Sequence, residues 1–113
     1  MRDAAAIPTP LRVIEATRTC VWCPSQWDGR TDDDRAVYVR YRWGCLRVTV
    51  GEPGDRDEFA GVRGRWVYSA EIGDGFDGAL SGAELARRTA GVLEWPETVT
   101  GETDERYRTP LED

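Results

Sequence analysis

The chain has 113 residues, enough for one domain with one hydrophobic core. Its residues are 40% hydrophobic and 32% charged, a balance that excludes a wholly disordered protein. The net charge of −6 argues against a domain that binds nucleic acid through bulk positive charge, so we expect no direct nucleic-acid binding. Histidine is absent, which excludes serine–histidine and cysteine–histidine catalysis.

The N-terminal sequence favours a short lead before a single domain. No apolar run approaches the ~20 residues that span a bilayer, and residues 1–10 lack the apolar core of a signal peptide. We therefore expect a cytoplasmic protein without a membrane partner. Residues 1–10 contain two prolines and are expected to be a flexible lead, and the folded domain is expected over residues 11–96.

The first half of the domain has the composition of β-strands. Residues 12–20 are rich in β-branched side chains and predict a strand, and "SQWDGRT" (25–31) is a second, weaker strand candidate. The run Asp32 to Asp34 supplies turn-forming side chains that can bond their own backbone. A hairpin connection to the following strand is therefore expected.

The stretch "VYVRYRWGCLRVTV" (37–50) predicts a β-hairpin with Trp43 and Gly44 as its two-residue loop. This register pairs Arg40 with Arg47 and places apolar side chains on one face for the core: Val37, Val39, Tyr41, Leu46, Val48 and Val50. The opposite face carries Tyr38, Arg40, Arg42, Cys45, Arg47 and Thr49. A slip of one residue would mix the two faces, so the pattern supports the register.

Alternation returns in "RWVYSAEI" (65–72), which predicts a further strand with one face formed by Trp66, Tyr68, Ala70 and Ile72. A helix is then expected to start at Ser81, because Glu84 three residues later completes a capping box. Leu80 and Leu85 stand where a hydrophobic staple requires them. Leu85, Thr89, Val92 and Leu93 follow at helical spacing and extend the predicted helix toward Pro96.

Together these elements predict an α+β fold. We expect a four- or five-stranded antiparallel meander sheet with one C-terminal helix packed on one face. Residues 97–113 contain six acids and two arginines, a net charge of −4, and are expected to form an acidic tail.

The arginines of the hairpin are the candidate binding site. Arg40 faces Arg47, and like charges directly opposite each other destabilise a sheet, so an anionic counterpart is expected. One reading finds it within the chain, at Glu71, Glu15 or the acidic tail. The other is a recognition surface for carboxylates or phosphates. In the second reading the binding residues are Tyr38, Arg40, Arg42, Trp43 and Arg47, with Trp43 as an interface anchor at the hairpin tip.

We expect no metal and no cofactor. The pair Cys20 and Cys23 resembles half of a zinc site, but only Cys45 is left to join it and histidine is absent. Should zinc bind, those three cysteines would be its ligands, and the protein would be a small zinc-stabilised structural module. Pro24 and the strand-like sequence after it disfavour a redox dithiol.

No catalytic residue is expected either. The acidic runs "TDDD" and "GDGFDG" do not have the spacing of a calcium loop, and turn chemistry explains them. Asp74 and Asp77 are paired carboxylates that nothing in the sequence places in a pocket. The acidic tail leaves open a nucleic-acid mimic, whose carboxylates would occupy a basic groove of a partner.

The segment "CPSQWDGRT…VYVRYRWG" (23–44) resembles a pattern found in small proteins of actinobacteria and their phages. The resemblance covers about a fifth of the chain and carries over no mechanism. It implies a phage or mobile-element accessory protein, a class whose short acidic members often bind and block a host or defence protein. The sequence therefore favours a non-enzymatic protein-binding module, and an open sheet edge would also permit a symmetric homodimer.

Overall fold

A computed structural model describes residues 7, 9–20, 25–73, 80–97 and 99–100. Within these ranges the elements are β1 (Leu11–Cys20), β2 (Ser25–Thr31), β3 (Ala36–Arg42), β4 (Cys45–Val50), β5 (Arg65–Glu71), α1 (Gly82–Arg88) and β6 (Leu93–Glu94). The strands form one sheet in the order β5-β4-β3-β2-β1-β6. No helix in the described part of the chain is long and apolar enough to cross a membrane.

The sheet confirms the predicted meander for its first five strands. Strands β1 to β5 pair with their sequence neighbours, each pair antiparallel. The sixth strand was not predicted: β6 pairs in parallel with β1, through Leu11 with Leu93 and Arg12 with Glu94. The expected four or five strands are therefore six, and the sheet is mixed.

The hairpin β3–β4 has the predicted register. Arg40 lies opposite Arg47, and Arg42 lies opposite Cys45. The six side chains assigned to the core face are all buried: Val37, Val39, Tyr41, Leu46, Val48 and Val50. They pack with Trp27, which is fully buried on β2, so alternation along two strands is enough to define the core face.

Strand β5 differs from the prediction because of an irregularity in its pairing with β4. Val48 pairs with Tyr68, but the next residue, Thr49, pairs with Trp66, which leaves Val67 as an extra residue. A bulge of this kind shifts the side chains beyond it to the other face of the sheet. Trp66 therefore lies on the polar face, 60% exposed, and its predicted place beside Tyr68 and Ala70 was wrong.

The helix is shorter than predicted and is not C-terminal. Ser81 is the N-cap, and its side chain accepts a hydrogen bond from the backbone N–H of Glu84, which confirms the predicted start. The helix ends at Arg88, because Thr89 caps it through a backbone N–H bond to Leu85. Leu93, predicted as helical, is buried in β6 beside the first strand.

The helix still supplies the core with a buried side chain, Leu85, and Leu80 just before it is buried in the same cluster. Both partners of the predicted staple are therefore in the core. Beyond β6, Thr100 forms a parallel bridge to Thr17 and exchanges backbone hydrogen bonds with Ala16 and Arg18.

The loop between β4 and β5 covers one end of the polar face. The Oγ1 atom of Thr49 donates to the carbonyl oxygen of Gly61 at 2.5 Å, and Thr49 is only 6% exposed. A Cβ added to Gly61 would lie 3.1 Å from the Cβ of Tyr38, so the loop backbone rests directly on that strand. The hairpin end of the polar face, around Arg40 and Arg42, lies outside this cover.

Candidate binding site

Four of the five predicted binding residues lie around one open groove at the hairpin end of the polar face. The groove has a volume of about 260 Å³ and is lined by Arg40, Arg42, Trp43, Cys45, Arg47 and Glu71. We call this set the arginine groove. Strand alternation places its side chains on one face, and the pairs Arg42 with Cys45 and Cys45 with Glu71 form its outer row.

The fifth predicted residue, Tyr38, lies in a different groove. That second groove, of about 200 Å³, runs under the β4–β5 loop and includes Asp28, Tyr38, Gly61 and Val62. The hydroxyl of Tyr38 accepts a hydrogen bond from the Nε2 atom of Gln26 at 3.0 Å. Tyr38 therefore borders the arginine groove along β3 without lining it, which corrects its place in the predicted site.

Burial acts on two titratable groups in this second groove. Burial raises the pKa of the Asp28 carboxyl above its ordinary value of 3.8. The pKa of the Tyr38 phenol is also raised, mainly by burial and further by the Asp28 charge, while Arg40 acts in the opposite direction. These groups hold their protons more tightly than free side chains do.

The arginines of the groove have no carboxylate partner among the described residues. Arg35 pairs with Asp33 at 2.8 Å, Arg65 pairs with Glu52 at 3.0 Å, and further ion pairs join arginines and acids on the hairpin turn, the β4–β5 loop and α1. Within the same ranges no ion pair is recorded for Arg40, Arg42 or Arg47, although Glu71 lines the same groove. The predicted balance by Glu71 or Glu15 is therefore not formed there. The third predicted source of negative charge, the acidic tail over residues 97–113, lies outside the described residues except for 97 and 99–100.

Two of these arginines are stacked on exposed tryptophans instead. The guanidinium carbon of Arg42 lies 4.2 Å from the ring centroid of Trp43, and that of Arg47 lies 4.9 Å from the centroid of Trp66. Trp43 is 64% exposed, as predicted for the hairpin tip. A cation over an aromatic face gains about 0.5–1 kcal/mol at an exposed site, so both stacks hold their guanidinium groups in place.

Arg40 stands between the two stacks and is held differently. It is half-buried between Gln26 on β2 and Arg47 on β4. Its Nε atom is buried and has no hydrogen-bond acceptor in the described part of the chain. A buried donor without an acceptor costs about 1–3 kcal/mol, so Arg40 destabilises the fold at this atom.

Trp66 is the member of the surface that sequence reasoning missed. A regular strand over residues 65–72 would have turned its side chain toward the core. The bulge at Val67 turns it outward, next to Arg47. Its outward position follows from its pairing with Thr49, which only the structure reveals. The sequence alone gives no sign of the bulge.

The predicted zinc ligands are not brought together in the described ranges. Cys20 ends β1 and Cys45 begins β4, so β2 and β3 lie between them, a separation of about 14 Å at the usual strand spacing. Two thiolates on one zinc ion must each lie about 2.3 Å from it. Cys23 falls outside the described residues, and no group of three potential metal ligands exists within them.

The acidic run "TDDD" forms a hairpin turn, as its turn-type residues predicted. Burial is the largest single effect on the pKa of Asp33 and raises it. The hydrogen bonds from Thr31 and Arg35, together with the charge of Arg35, outweigh burial and lower the pKa below 3.8. Asp34 accepts bonds from Arg30 and Arg56. Two of the three carboxylates of this turn, Asp33 and Asp34, therefore pair with arginines. The run "GDGFDG", with Asp74 and Asp77, lies outside the described residues.

Comparison of the chain with protein-family models, with curated proteins and with solved structures yields no match.

Proposed function

We propose that the protein is a non-enzymatic binding module that attaches to a protein partner through the arginine groove. The observation that carries this proposal is the contrast between two sets of arginines. Arginines of the turns, the β4–β5 loop, the helix and strands β2 and β5 pair with carboxylates of the chain, whereas Arg40, Arg42 and Arg47 have no carboxylate partner among the described residues. Three positive charges on one exposed patch favour an external anion as their counterpart.

The aromatic side chains of this surface favour a protein interface. Among the described residues, Trp43 and Trp66 are the two most exposed large hydrophobic side chains, and both contact an arginine of the groove. Tryptophan and arginine are enriched among the residues that carry most of the binding energy in protein interfaces. A partner that covers these rings would remove two large apolar surfaces from water.

Charge distribution favours a protein partner over nucleic acid. The groove has three arginines and one glutamate, but the chain as a whole carries −6. Nucleic-acid affinity grows with the number of phosphates that basic residues neutralise, and a net acidic molecule repels a long polyanion. A short acidic patch of a protein needs only a local match of charge.

Affinity capture tests the proposal. A tagged protein is used to recover partners from an actinobacterial lysate at low and at high salt, beside the double variant Arg40→Glu/Trp43→Ala and the control Arg56→Gln. Arg56 is exposed and already bound to Asp34, so its loss leaves the groove unchanged. We expect a stoichiometric partner that the wild type and the control recover, that high salt weakens, and that the double variant loses. Equal recovery by the double variant would contradict the proposal.

The blocking of a host or defence protein, and a phage or mobile-element origin, remain predictions that rest on the resemblance of residues 23–44. The homodimer, the zinc-stabilised module and the nucleic-acid mimic also remain predictions. The expected absence of enzymatic activity is a prediction of the same kind.

A further inference from the structure

We infer that the arginine groove recognises an extended acidic segment of a protein whose carboxylates stand two residues apart. This inference rests on the proposed binding function and specifies the chemistry of the partner. Three features of the groove carry it: the spacing of the arginines, the way in which they are held, and the position of Glu71.

The spacing follows from strand geometry. Arg40 and Arg42 are two residues apart on β3 and lie on the same face, which separates their attachment points by about 6.8 Å. An extended peptide repeats its side chains on one face at the same interval. Carboxylates at alternate positions of such a peptide therefore match Arg40 and Arg42 in register, whereas adjacent carboxylates point to opposite faces.

The two carboxylate positions are not equivalent. Arg47 lies directly opposite Arg40, so a carboxylate at that position meets two guanidinium groups, and the one at Arg42 meets a single group. The bound anion would also offset the like-charge repulsion between Arg40 and Arg47. The segment is therefore held most strongly in the inner row of the groove.

The arginines are held in an arrangement suited to carboxylates. The guanidinium carbons of Arg42 and Arg47 lie over the rings of Trp43 and Trp66, 4.2 Å and 4.9 Å from the ring centroids. A stacked guanidinium keeps its N–H groups at the edge, in the plane where a carboxylate accepts two bonds. Because these side chains are already ordered, binding loses less side-chain entropy.

Glu71 limits the direction in which the segment can lie. It is separated from Arg42 by Cys45 on the intervening strand, about 9.5 Å across the sheet. Its charge repels a carboxylate placed across the strands, so the acidic segment follows β3 instead. Replacement of Glu71 by glutamine should therefore strengthen acidic-peptide binding and weaken the preference for alternate spacing.

Peptide titration of the full-length protein tests the inference. Two short peptides of identical composition are compared, one with two glutamates separated by a serine and the other with the glutamates adjacent. Binding is followed at low salt by NMR, with the indole N–H signals of Trp43 and Trp66 as reporters. We expect the spaced peptide to bind about tenfold more tightly, and Arg42→Gln to reduce its affinity about tenfold.

The variants separate specific recognition from general attraction. Arg63→Gln removes an equal charge from the β4–β5 loop, where Arg63 already pairs with Asp57 at 3.1 Å, and should leave peptide affinity within about twofold. Glu71→Gln should raise the affinity of both peptides. Equal loss in Arg63→Gln and Arg42→Gln would overturn the inference, because bulk charge would then explain the binding.

The two levels of the proposal fail differently. If both peptides bind equally, or a single-stranded oligothymidylate binds more tightly than either, the acidic-segment inference is wrong. If the two peptides bind equally, a specific protein captured through the groove would still support the proposed function. If the double variant Arg40→Glu/Trp43→Ala captures partners as well as the wild type, the groove is not the binding site and both proposals fail.

Discussion

The repulsion between Arg40 and Arg47 should be measurable as a loss of stability. The two residues are directly opposite on β3 and β4, which places like charges on neighbouring strands. Two like charges at a separation of about 6 Å repel by about 0.7 kcal/mol in a water-like dielectric. Arg40→Gln removes this repulsion, together with a buried Nε atom that has no acceptor in the described ranges. We expect the loss of the repulsion to raise the free energy of unfolding by about 0.7 kcal/mol and the Tm by about 3 °C, and the loss of the unpaired donor to add a salt-independent gain of about 1–3 kcal/mol.

Urea denaturation in low and high salt provides the assay. At about 1 M salt the screening length falls to about 3 Å, so most of the electrostatic gain from Arg40→Gln should disappear. In a double-mutant cycle, Arg47→Gln should raise the free energy of unfolding by about 0.7 kcal/mol less in the Arg40→Gln background than in the wild type. Arg35→Gln is the contrast, because Arg35 donates to Asp33 at 2.8 Å and its loss should destabilise the fold.

One result would refute this reasoning. If Arg40→Gln lowers the free energy of unfolding by more than about 1 kcal/mol at low salt, and high salt reduces this loss, Arg40 has an anionic partner within the chain. The arginine groove would then be balanced internally, and its arginines would not be available to an external anion.

Two further predictions concern backbone packing and pH. A side chain at Gly64 would overlap the carbonyl oxygen of Val50, so Gly64→Ala should destabilise the fold by about 3 kcal/mol or more in urea denaturation; Gly91→Ala, where a Cβ meets nothing within 4 Å, should be neutral or stabilising by up to about 1 kcal/mol. Because burial raises the pKa of Asp28, its ionisation opposes folding, so Asp28→Asn should stabilise the fold at pH 7, and this effect should disappear as the pH falls through the raised pKa to 3.8. The pKa of Asp33 is lowered, so its ionised form stabilises the fold; Asp33→Asn should destabilise it at pH 7, and the difference should shrink as the pH falls through and below 3.8. The first prediction would be contradicted if Gly64→Ala and Gly91→Ala changed the free energy of unfolding equally. The second would be contradicted if Asp28→Asn and Asp33→Asn changed it in the same direction at pH 7.

The hairpin shows which part of the fold local sequence determines. Alternation of apolar and polar residues on both strands, with Trp43 and Gly44 between them, defined the register that places Arg40 opposite Arg47. It also defined the polar face, and hence four residues of the groove. The outward position of Trp66 was not predicted, because the residues after it alternate regularly with their apolar members on the core face. Only the pairing with β4 reveals the extra residue at Val67.

The C-terminal part of the domain shows where local sequence is insufficient. Apolar residues from Leu85 to Leu93 fit helical spacing, but Leu93 pairs with Leu11, more than eighty positions earlier. Such long-range pairing overrides a weak local preference, and the helix ends at Arg88. The sequence also could not show that the arginines of the groove lack an ion pair. It allowed Glu71 as their partner, and only the side-chain geometry shows that Glu71 forms no ion pair with them.

The most direct test of the binding site is protection of the Cys45 thiol by the captured partner. Cys45 lines the arginine groove and is half-buried, whereas Cys20 lies on β1 with two strands between them and serves as an internal control. The rate of alkylation at each cysteine is measured by mass spectrometry with and without the partner. Binding at the groove predicts slower alkylation of Cys45 and an unchanged rate at Cys20; an unchanged rate at Cys45 in the saturated complex would contradict it.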